Sequence, residues 1–179
     1  MKLIILDRDG VINEESDTYI TSPEEWIPIP GSLEAIARLN HGGYRVLVAT
    51  NQSGLARGLF TVEVLNAIHC KMHRELARLG GQVEAVFFCP HGPNDSCICR
   101  KPLPGLLDEI AKRLKLNLSG IPFIGDSLRD IKAAQAVGAS PTLVLTGKGS
   151  HTLAAHGCEL SGVPFYTDLH TIVDSLFAS

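Results

Sequence analysis

The run Leu3-Ile4-Ile5-Leu6 ends directly in Asp7-Arg8-Asp9-Gly10, and this junction constrains the fold more than any other stretch of the chain. A short apolar run bounded by a turn residue reads as a strand buried on both faces, the pattern of a parallel sheet. Two carboxylates on alternate positions at its end each cost several kcal/mol unless a cation or hydrogen-bond donors compensate them. In open α/β sheets the carboxyl ends of the strands are also where ligands bind. Asp and Gly are common turn formers, so a solvated turn stands as the alternative until the rest of the chain is read.

Strand-like and helix-like stretches alternate to the end. A loop rich in Glu, Asp, Ser and Pro covers positions 13–31 and is long for a connection of this kind, which points to a functional loop. Apolar spacing predicts a helix over Ser32–Asn40, stopped by Gly42-Gly43. A buried strand follows over Tyr44–Ala49, then Thr50-Asn51-Gln52-Ser53-Gly54 and a helix over Thr61–Leu79. Strands are expected at Val83–Phe88, Ile121–Ile124 and Thr142–Leu145, with helices at Leu106–Leu116 and Leu128–Val137. From about Ser150 the chain reads as helix, a short extended piece at Val163–Tyr166, and a final helix. The expectation is a single α/β domain over residues 1–179, a doubly wound parallel sheet.

Composition excludes several classes. The chain has 179 residues, 45% of them hydrophobic, and a formal net charge of −3. With no Lys/Arg block, a nucleic-acid partner is not expected. No apolar stretch is long enough to span a bilayer, so no membrane partner is expected either. The start of the chain lacks the cleavable signal pattern, which makes a cytoplasmic location the expectation. A self-contained domain with little apolar excess is expected as a monomer.

Four strand ends carry unusual polar content: Asp7/Asp9, Thr50-Asn51, Arg100-Lys101 and Gly125-Asp126-Ser127-Leu128-Arg129-Asp130. In a parallel sheet all of them open onto one crevice. A hard divalent cation needs oxygen ligands and would neutralise both the acids and an incoming phosphate. Lys101 would balance the remaining charge on a transferring phosphoryl group, and Thr50 would donate a hydrogen bond to it. Taken singly, Thr50 reads as an ordinary strand-end residue and Lys101 as a surface charge. Together with the acids they point to transfer of a phosphoryl group from a phosphate ester.

Asp7-Arg8-Asp9-Gly10-Val11-Ile12, Thr50-Asn51-Gln52-Ser53-Gly54, Lys101-Pro102 and Gly125-Asp126-Ser127-x-x-Asp130 resemble, in order, the four motifs of the haloacid dehalogenase (HAD) superfamily of phosphatases. The resemblance spans residues 2 to about 147. It implies a HAD-like Rossmannoid fold, with Asp7 as nucleophile forming an aspartyl-phosphate. Asp9 would protonate the leaving alcohol and then act as base on water. Asp7 must then be ionised while Asp9 is able to hold a proton. Mg²⁺ would sit on the carboxylates of Asp7 and Asp126 and on the backbone carbonyl of Asp9. Asp130, one helical turn beyond Asp126, is expected to hold Lys101 or the surroundings of the metal.

Five cysteines make an odd count, and three of them crowd with a histidine into Cys89-Pro90-His91 and Cys97-Ile98-Cys99. This is a metal spacing more than a stapling pattern. Cys89, His91, Cys97 and Cys99 suit tetrahedral Zn²⁺, and four protein ligands leave no open position, so the site would be structural. Reduced thiols beside a chance histidine, or one disulfide, are the alternatives. A clip at this place would fix Arg100 and Lys101 over the acids.

A zinc loop before Arg-Lys-Pro, with Gln52-Ser53-Gly54-Leu55-Ala56-Arg57-Gly58, is similar to one branch of the superfamily, which dephosphorylates heptose 1,7-bisphosphate at the 7-position in heptose precursor synthesis for lipopolysaccharide or glycoprotein. That resemblance implies a phosphorylated sugar as substrate. It also implies substrate contacts from Thr50, Asn51, Gln52, Ser53 and Arg100, and from Asp17, Thr18 and Tyr19 in the first loop. No large cap domain is present, so short loops would cover the crevice. Ser127 departs from the branch, where some members have Lys. Histidinol-phosphate phosphatase shares much of the pattern and is the nearest competing enzyme, and a catalytically silent, zinc-stabilised binding module is the reading of another class.

Other features point to structure. His69 and His73, four apart in a helical pattern, lack companion metal ligands and read as a surface or packed pair. His41 is expected to interact with the carbonyl end of its helix. Gly147-Lys148-Gly149 lacks the rest of a phosphate loop and reads as a turn. Trp26 reads as a packing anchor for the 13–31 loop. Cys70 and Cys158 read as lone thiols.

Overall fold

The structure is a computed structural model that describes residues 2–178. The elements run in order β1 (Lys2–Leu6), α1 (Ser32–His41), β2 (Tyr44–Asn51), α2 (Val62–Arg78), β3 (Ala85–Cys89), α3 (Gly105–Leu114), β4 (Pro122–Gly125), α4 (Leu128–Ala136), β5 (Ser140–Val144), α5 (Gly149–His156), β6 (Phe165–Tyr166) and α6 (Leu169–Ala178). The strands form one six-stranded sheet in the order β3-β2-β1-β4-β5-β6, and every pairing is parallel. The expected doubly wound α/β architecture is therefore the observed one.

Strand periodicity explains why β1 is apolar at every position from Leu3 to Leu6. Side chains alternate between the two faces of a sheet. Ile4 and Leu6 join Val46, Val48 and Ile124 in one core, under α1, α2 and α6. Leu3 and Ile5 join Leu47, Ala49 and Phe123 in the other, under α3 and α4. Lying mid-sheet, β1 has no solvated face, so its run cannot alternate.

The strand order reverses direction at β1 and β4, which pair directly through Ile5↔Phe123 and Leu6↔Ile124. A crevice outside the carboxyl ends is expected at such a switch point. The 13–31 loop is pinned beside it. Glu14 N donates to the Ile27 carbonyl and Ile29 N to the Ile12 carbonyl, both at 2.9 Å. Trp26 is fully buried among core residues, which bears out its reading as an anchor. His41 Nδ1 lies 2.7 Å from the Ala37 carbonyl, as expected at a helix end.

Candidate active site

The acids that end β1 and β4 meet at the switch point. Asp7 N donates to the Ile124 carbonyl at 2.8 Å, which brings Asp7 beside Asp126. Lys101, almost fully buried, sits between carboxylates, with Nζ 3.0 Å from Asp7 Oδ1 and 2.6 Å from Asp130 Oδ1. It also donates to the Ala49 carbonyl at 2.8 Å. Asp130 thus holds Lys101. Its other oxygen accepts from the Ser127 hydroxyl at 2.6 Å and the Ser127 N–H at 3.1 Å, which ties off an orphan amide at the start of α4.

Asp9 is gripped by donors. Arg8 Nη2 lies 2.7 and 3.0 Å from its two oxygens and Arg8 Nε 3.1 Å from one of them. Asn13 adds a hydrogen bond at 2.9 Å and Gln52 one at 2.8 Å. Gln52 also donates to the Thr50 hydroxyl at 2.9 Å. Thr50 is buried at the end of β2. Asn51 uses both ends of its amide on the Lys101 backbone, donating to the carbonyl at 3.0 Å and accepting from the N–H at 3.1 Å. Its side chain locks the segment that carries the lysine, a role not foreseen from its place in the motif.

The charges are unbalanced in a way that fits a cation. Burial pushes the Asp7 carboxyl up to about 7; Lys101 pulls against this, while Asp130 and Asp9 add to it. Burial, then Asp130 and Asp7, push Asp126 up to about 8. Burial works against the Lys101 ammonium, but Asp130 and Asp7 outweigh it and raise its pKa. Burial also acts on Asp9, yet the Arg8 guanidinium and the hydrogen bonds from Asn13, Arg8 and Gln52 win and lower its pKa. The protein groups alone therefore set directions opposite to those the sequence reading asks of Asp7 and Asp9. A divalent cation at Asp7 and Asp126 favours ionised Asp7.

Carboxylate oxygens of Asp7, Asp126 and Asp130 lie within 4.8 Å of one another. Hard oxygen donors around excess negative charge suit Mg²⁺, and with Asp130 occupied by Lys101 and Ser127, Asp7 and Asp126 are the carboxylates left for it. The turn after β5 supports Asp126: Lys148 N donates to its Oδ2 at 2.8 Å. The Gly147-Lys148-Gly149 turn is thus a turn as read, with a supporting task that its sequence did not disclose.

Cys89, His91, Cys97 and Cys99 form a second cluster, also with one donor atom each within 4.8 Å. None of the cysteines is in a disulfide, which removes that alternative. Cys89 Sγ lies 3.1 Å from Cys99 Sγ and 4.0 Å from Cys97 Sγ. His91 Nδ1 lies 3.5 Å from Cys89 Sγ and 3.3 Å from Cys99 Sγ. Burial and the Cys99 hydrogen bond push the Cys89 thiol up to about 12, a cost that a metal bound to thiolate removes. The cluster begins at Cys89, the last residue of β3, and leads into Arg100, whose Nη1 donates to the His91 carbonyl at 3.2 Å.

A crevice of about 360 Å³ opens over these groups. It is lined by Asp7, Asp9, Thr50, Asn51, Gln52, Ser53, Arg100, Lys101 and Asp126 as expected, and from the first loop by Asp17 and Tyr19. Thr18 is exposed, shares a 3.1 Å contact with the Ser16 hydroxyl, and is not among the lining residues. Arg57, Arg129, Glu15 and Lys148 also line the crevice; none is an expected site residue, although Arg57, Arg129 and Lys148 stand within stretches quoted above, because single charges at loop and helix starts carry no spacing signal. His69 was read as a surface or packed residue. It is packed, against Arg8, with Nε2 3.2 Å from Nη1.

A parallel sheet in this order, with paired acids after β1, a buried lysine between carboxylates and a third acid after β4, defines a HAD-like phosphatase. Residues 98–174 match the HAD-hydrolase-like family model. D-glycero-beta-D-manno-heptose-1,7-bisphosphate 7-phosphatase of Bordetella bronchiseptica is 57% identical over 176 residues, covering 98% of both chains. The protein of the same name from Neisseria meningitidis is 53% identical over 160 residues, covering 89% of this chain and 86% of its own. The crystal structure of the B. bronchiseptica D,D-heptose 1,7-bisphosphate phosphatase complexed with magnesium and phosphate superposes with a TM-score of 0.96 at 56% identity, over 99% of each chain. The chain belongs to the D-glycero-D-manno-heptose-1,7-bisphosphate 7-phosphatase family.

Proposed function

We propose that the protein removes the 7-phosphate of D-glycero-D-manno-heptose 1,7-bisphosphate in heptose precursor biosynthesis, through an aspartyl-phosphate on Asp7. It acts in the cytoplasm as a monomer, with the whole chain as one domain. The observation that carries the reading is the buried Lys101 bridging Asp7 and Asp130 at 3.0 and 2.6 Å, directly beside Asp126. Among the described residues no helix is long and apolar enough to cross a membrane.

Mg²⁺ held by the Asp7 and Asp126 carboxylates and the Asp9 carbonyl would supply charge neutralisation for the acids and the phosphate. Asp7 is aligned by the Arg8 N–H at 2.7 Å and by Lys101, both on Oδ1, so neither bond consumes Oδ2. A carboxylate oxygen of Asp7 bonds to phosphorus as the bond from phosphorus to the sugar oxygen breaks. A proton from Asp9 goes to that sugar oxygen. Water then attacks phosphorus, Asp9 takes its proton, and the bond to Asp7 breaks with release of phosphate. The approach of a phosphate dianion opposes the pull of Arg8 on Asp9 and favours its protonated form. Lys101 and Thr50 stabilise the phosphoryl oxygens.

The rim favours a bisphosphate over histidinol phosphate. Arg57, Arg100 and Arg129 line the crevice, and none of them is in an ion pair among the described residues. Three guanidinium groups attract a second phosphate and repel the ammonium of histidinol phosphate. Zn²⁺ on Cys89, His91, Cys97 and Cys99 would have a full set of protein ligands and so serve structure. The test is phosphate release from heptose 1,7-bisphosphate and from histidinol phosphate, side by side with Mg²⁺. A large preference for the heptose supports the assignment. Preference for histidinol phosphate moves the enzyme to histidine synthesis, and release from neither withdraws the substrate assignment.

A further inference from the structure

The apolar face of α2 is interrupted by one polar side chain in its middle. Its buried residues are Leu65, Ile68, His69, Met72 and Leu76. His69 Nε2 lies 3.2 Å from Arg8 Nη1. A guanidinium has no acceptor and does not lose its proton, so Nε2 accepts and the imidazole proton sits on Nδ1. Burial and the Arg8 charge push His69 down to about 3, so the ring is a neutral acceptor at neutral pH.

Arg8 is itself buried, with 1% of its surface exposed. Its Nε and Nη2 form a fork on Asp9 at 2.7 to 3.1 Å, and Nη1 ends on His69. The guanidinium is therefore a rigid link with a carboxylate at one end and a helix-borne imidazole at the other. An apolar residue at position 69 would leave Nη1 buried without its partner, and an unpaired buried donor is costly. A planar fork with both ends fixed holds the Asp9 oxygens in one place, and proton transfer to an ester oxygen is sensitive to displacements of about 1 Å.

We propose that His69 is a positioning residue for the proton transfers of Asp9, acting through Arg8. The inference rests on the reading of Asp9 as general acid and base, and it adds a residue from α2 that does not line the crevice.

The experiment compares kcat/KM for two esters, because this constant reports the steps up to formation of the phosphoenzyme. Heptose 1,7-bisphosphate loses a sugar alkoxide that needs a proton, whereas p-nitrophenyl phosphate loses a nitrophenolate that does not. Asp9→Asn tests the underlying reading, and a loss confined mainly to the sugar ester supports it. His69→Phe is expected to lower kcat/KM roughly 10- to 100-fold on the sugar ester and less than about 3-fold on the aryl ester. His69→Gln, which offers an amide oxygen to Nη1, is expected to restore most of the loss. Arg8→Lys keeps the charge but breaks the fork and should reproduce the selective loss, which keeps the inference testable if His69→Phe does not fold. Equal losses on both esters, or no loss on either while Asp9→Asn remains selective, would overturn it. If Asp9→Asn itself shows no selectivity, the role of Asp9 falls, and the inference with it.

Discussion

Gly10 shows how little room the acids leave around themselves. Its φ is +81°, and a Cβ there would stand 2.0 Å from an Asp126 carboxylate oxygen and 3.2 Å from Gly147 Cα. Both the left-handed backbone and the close approach require glycine. Gly10→Ala should displace Asp126 and raise the Mg²⁺ concentration needed for half-maximal activity at least about tenfold, the scale of losses from disturbing a metal shell. A Mg²⁺ titration of turnover checks this, and an unchanged midpoint would mean that the loop absorbs the methyl. Asp7→Asn should abolish phosphate release while the far-UV spectrum and cooperative melting persist, since amide and carboxylate have the same shape. Asp7, Asp9 and Asp126 were legible in the sequence because each breaks the rule against a charge at the end of a buried strand. The His69–Arg8 contact was not. The two residues lie 61 positions apart, and nothing in the spacing of an apolar helix face names the partner of its one imidazole.

At the scale of elements, the strands of the sheet were legible from their apolar runs, and their ends shifted by one or two residues for local reasons. The third strand begins at Ala85 and not Val83, because the pairing with β2 starts at Leu47↔Ala85, although Val83 is buried. Helix α3 stops at Leu114 because Lys115 turns left-handed, with φ 53°. The segment from Cys89 to Lys101 was legible as a metal pattern, but its coupling to catalysis was not, since it runs through Asn51. That side chain bonds both backbone groups of Lys101, so the segment carrying the lysine is tied to β2 on one side and continues from the Cys89, His91, Cys97 and Cys99 cluster on the other. Cys97→Ser, or removal of zinc by a strong chelator, is expected to raise amide exchange from Cys89 to Lys101. Activity should fall by about an order of magnitude or more, as for other losses of positioning, and Mg²⁺ alone should not restore it. Exchange mass spectrometry with paired activity assays checks both halves. Faster exchange with undiminished activity would uncouple the clip from the lysine.

For the whole molecule, the same burial that makes the crevice reactive sets how stability follows pH. With Mg²⁺ removed and zinc retained, Asp7 and Asp126 hold their protons up to about 7 and about 8, against 3.8 in the unfolded chain. Between pH 4 and 8 the native state therefore binds more protons than the unfolded one, and these two groups make stability fall as pH rises. His69 works the other way. Its pKa drops from 6.5 to about 3, so the unfolded state binds the extra proton between those values and stability rises with pH there. The two effects oppose each other below pH 6.5, and above it only the carboxylates remain. The melting temperature without Mg²⁺ should thus decline from pH 6.5 to 8. Mg²⁺ held by the ionised pair, as proposed, would displace its protons, so its stabilisation should grow as those protons become easier to remove. Calorimetry with and without saturating Mg²⁺ is expected to give a larger rise in Tm at pH 8 than at pH 6. A rise that does not depend on pH would mean that Asp7 and Asp126 are already ionised without the cation, and that the crevice has another source of positive charge.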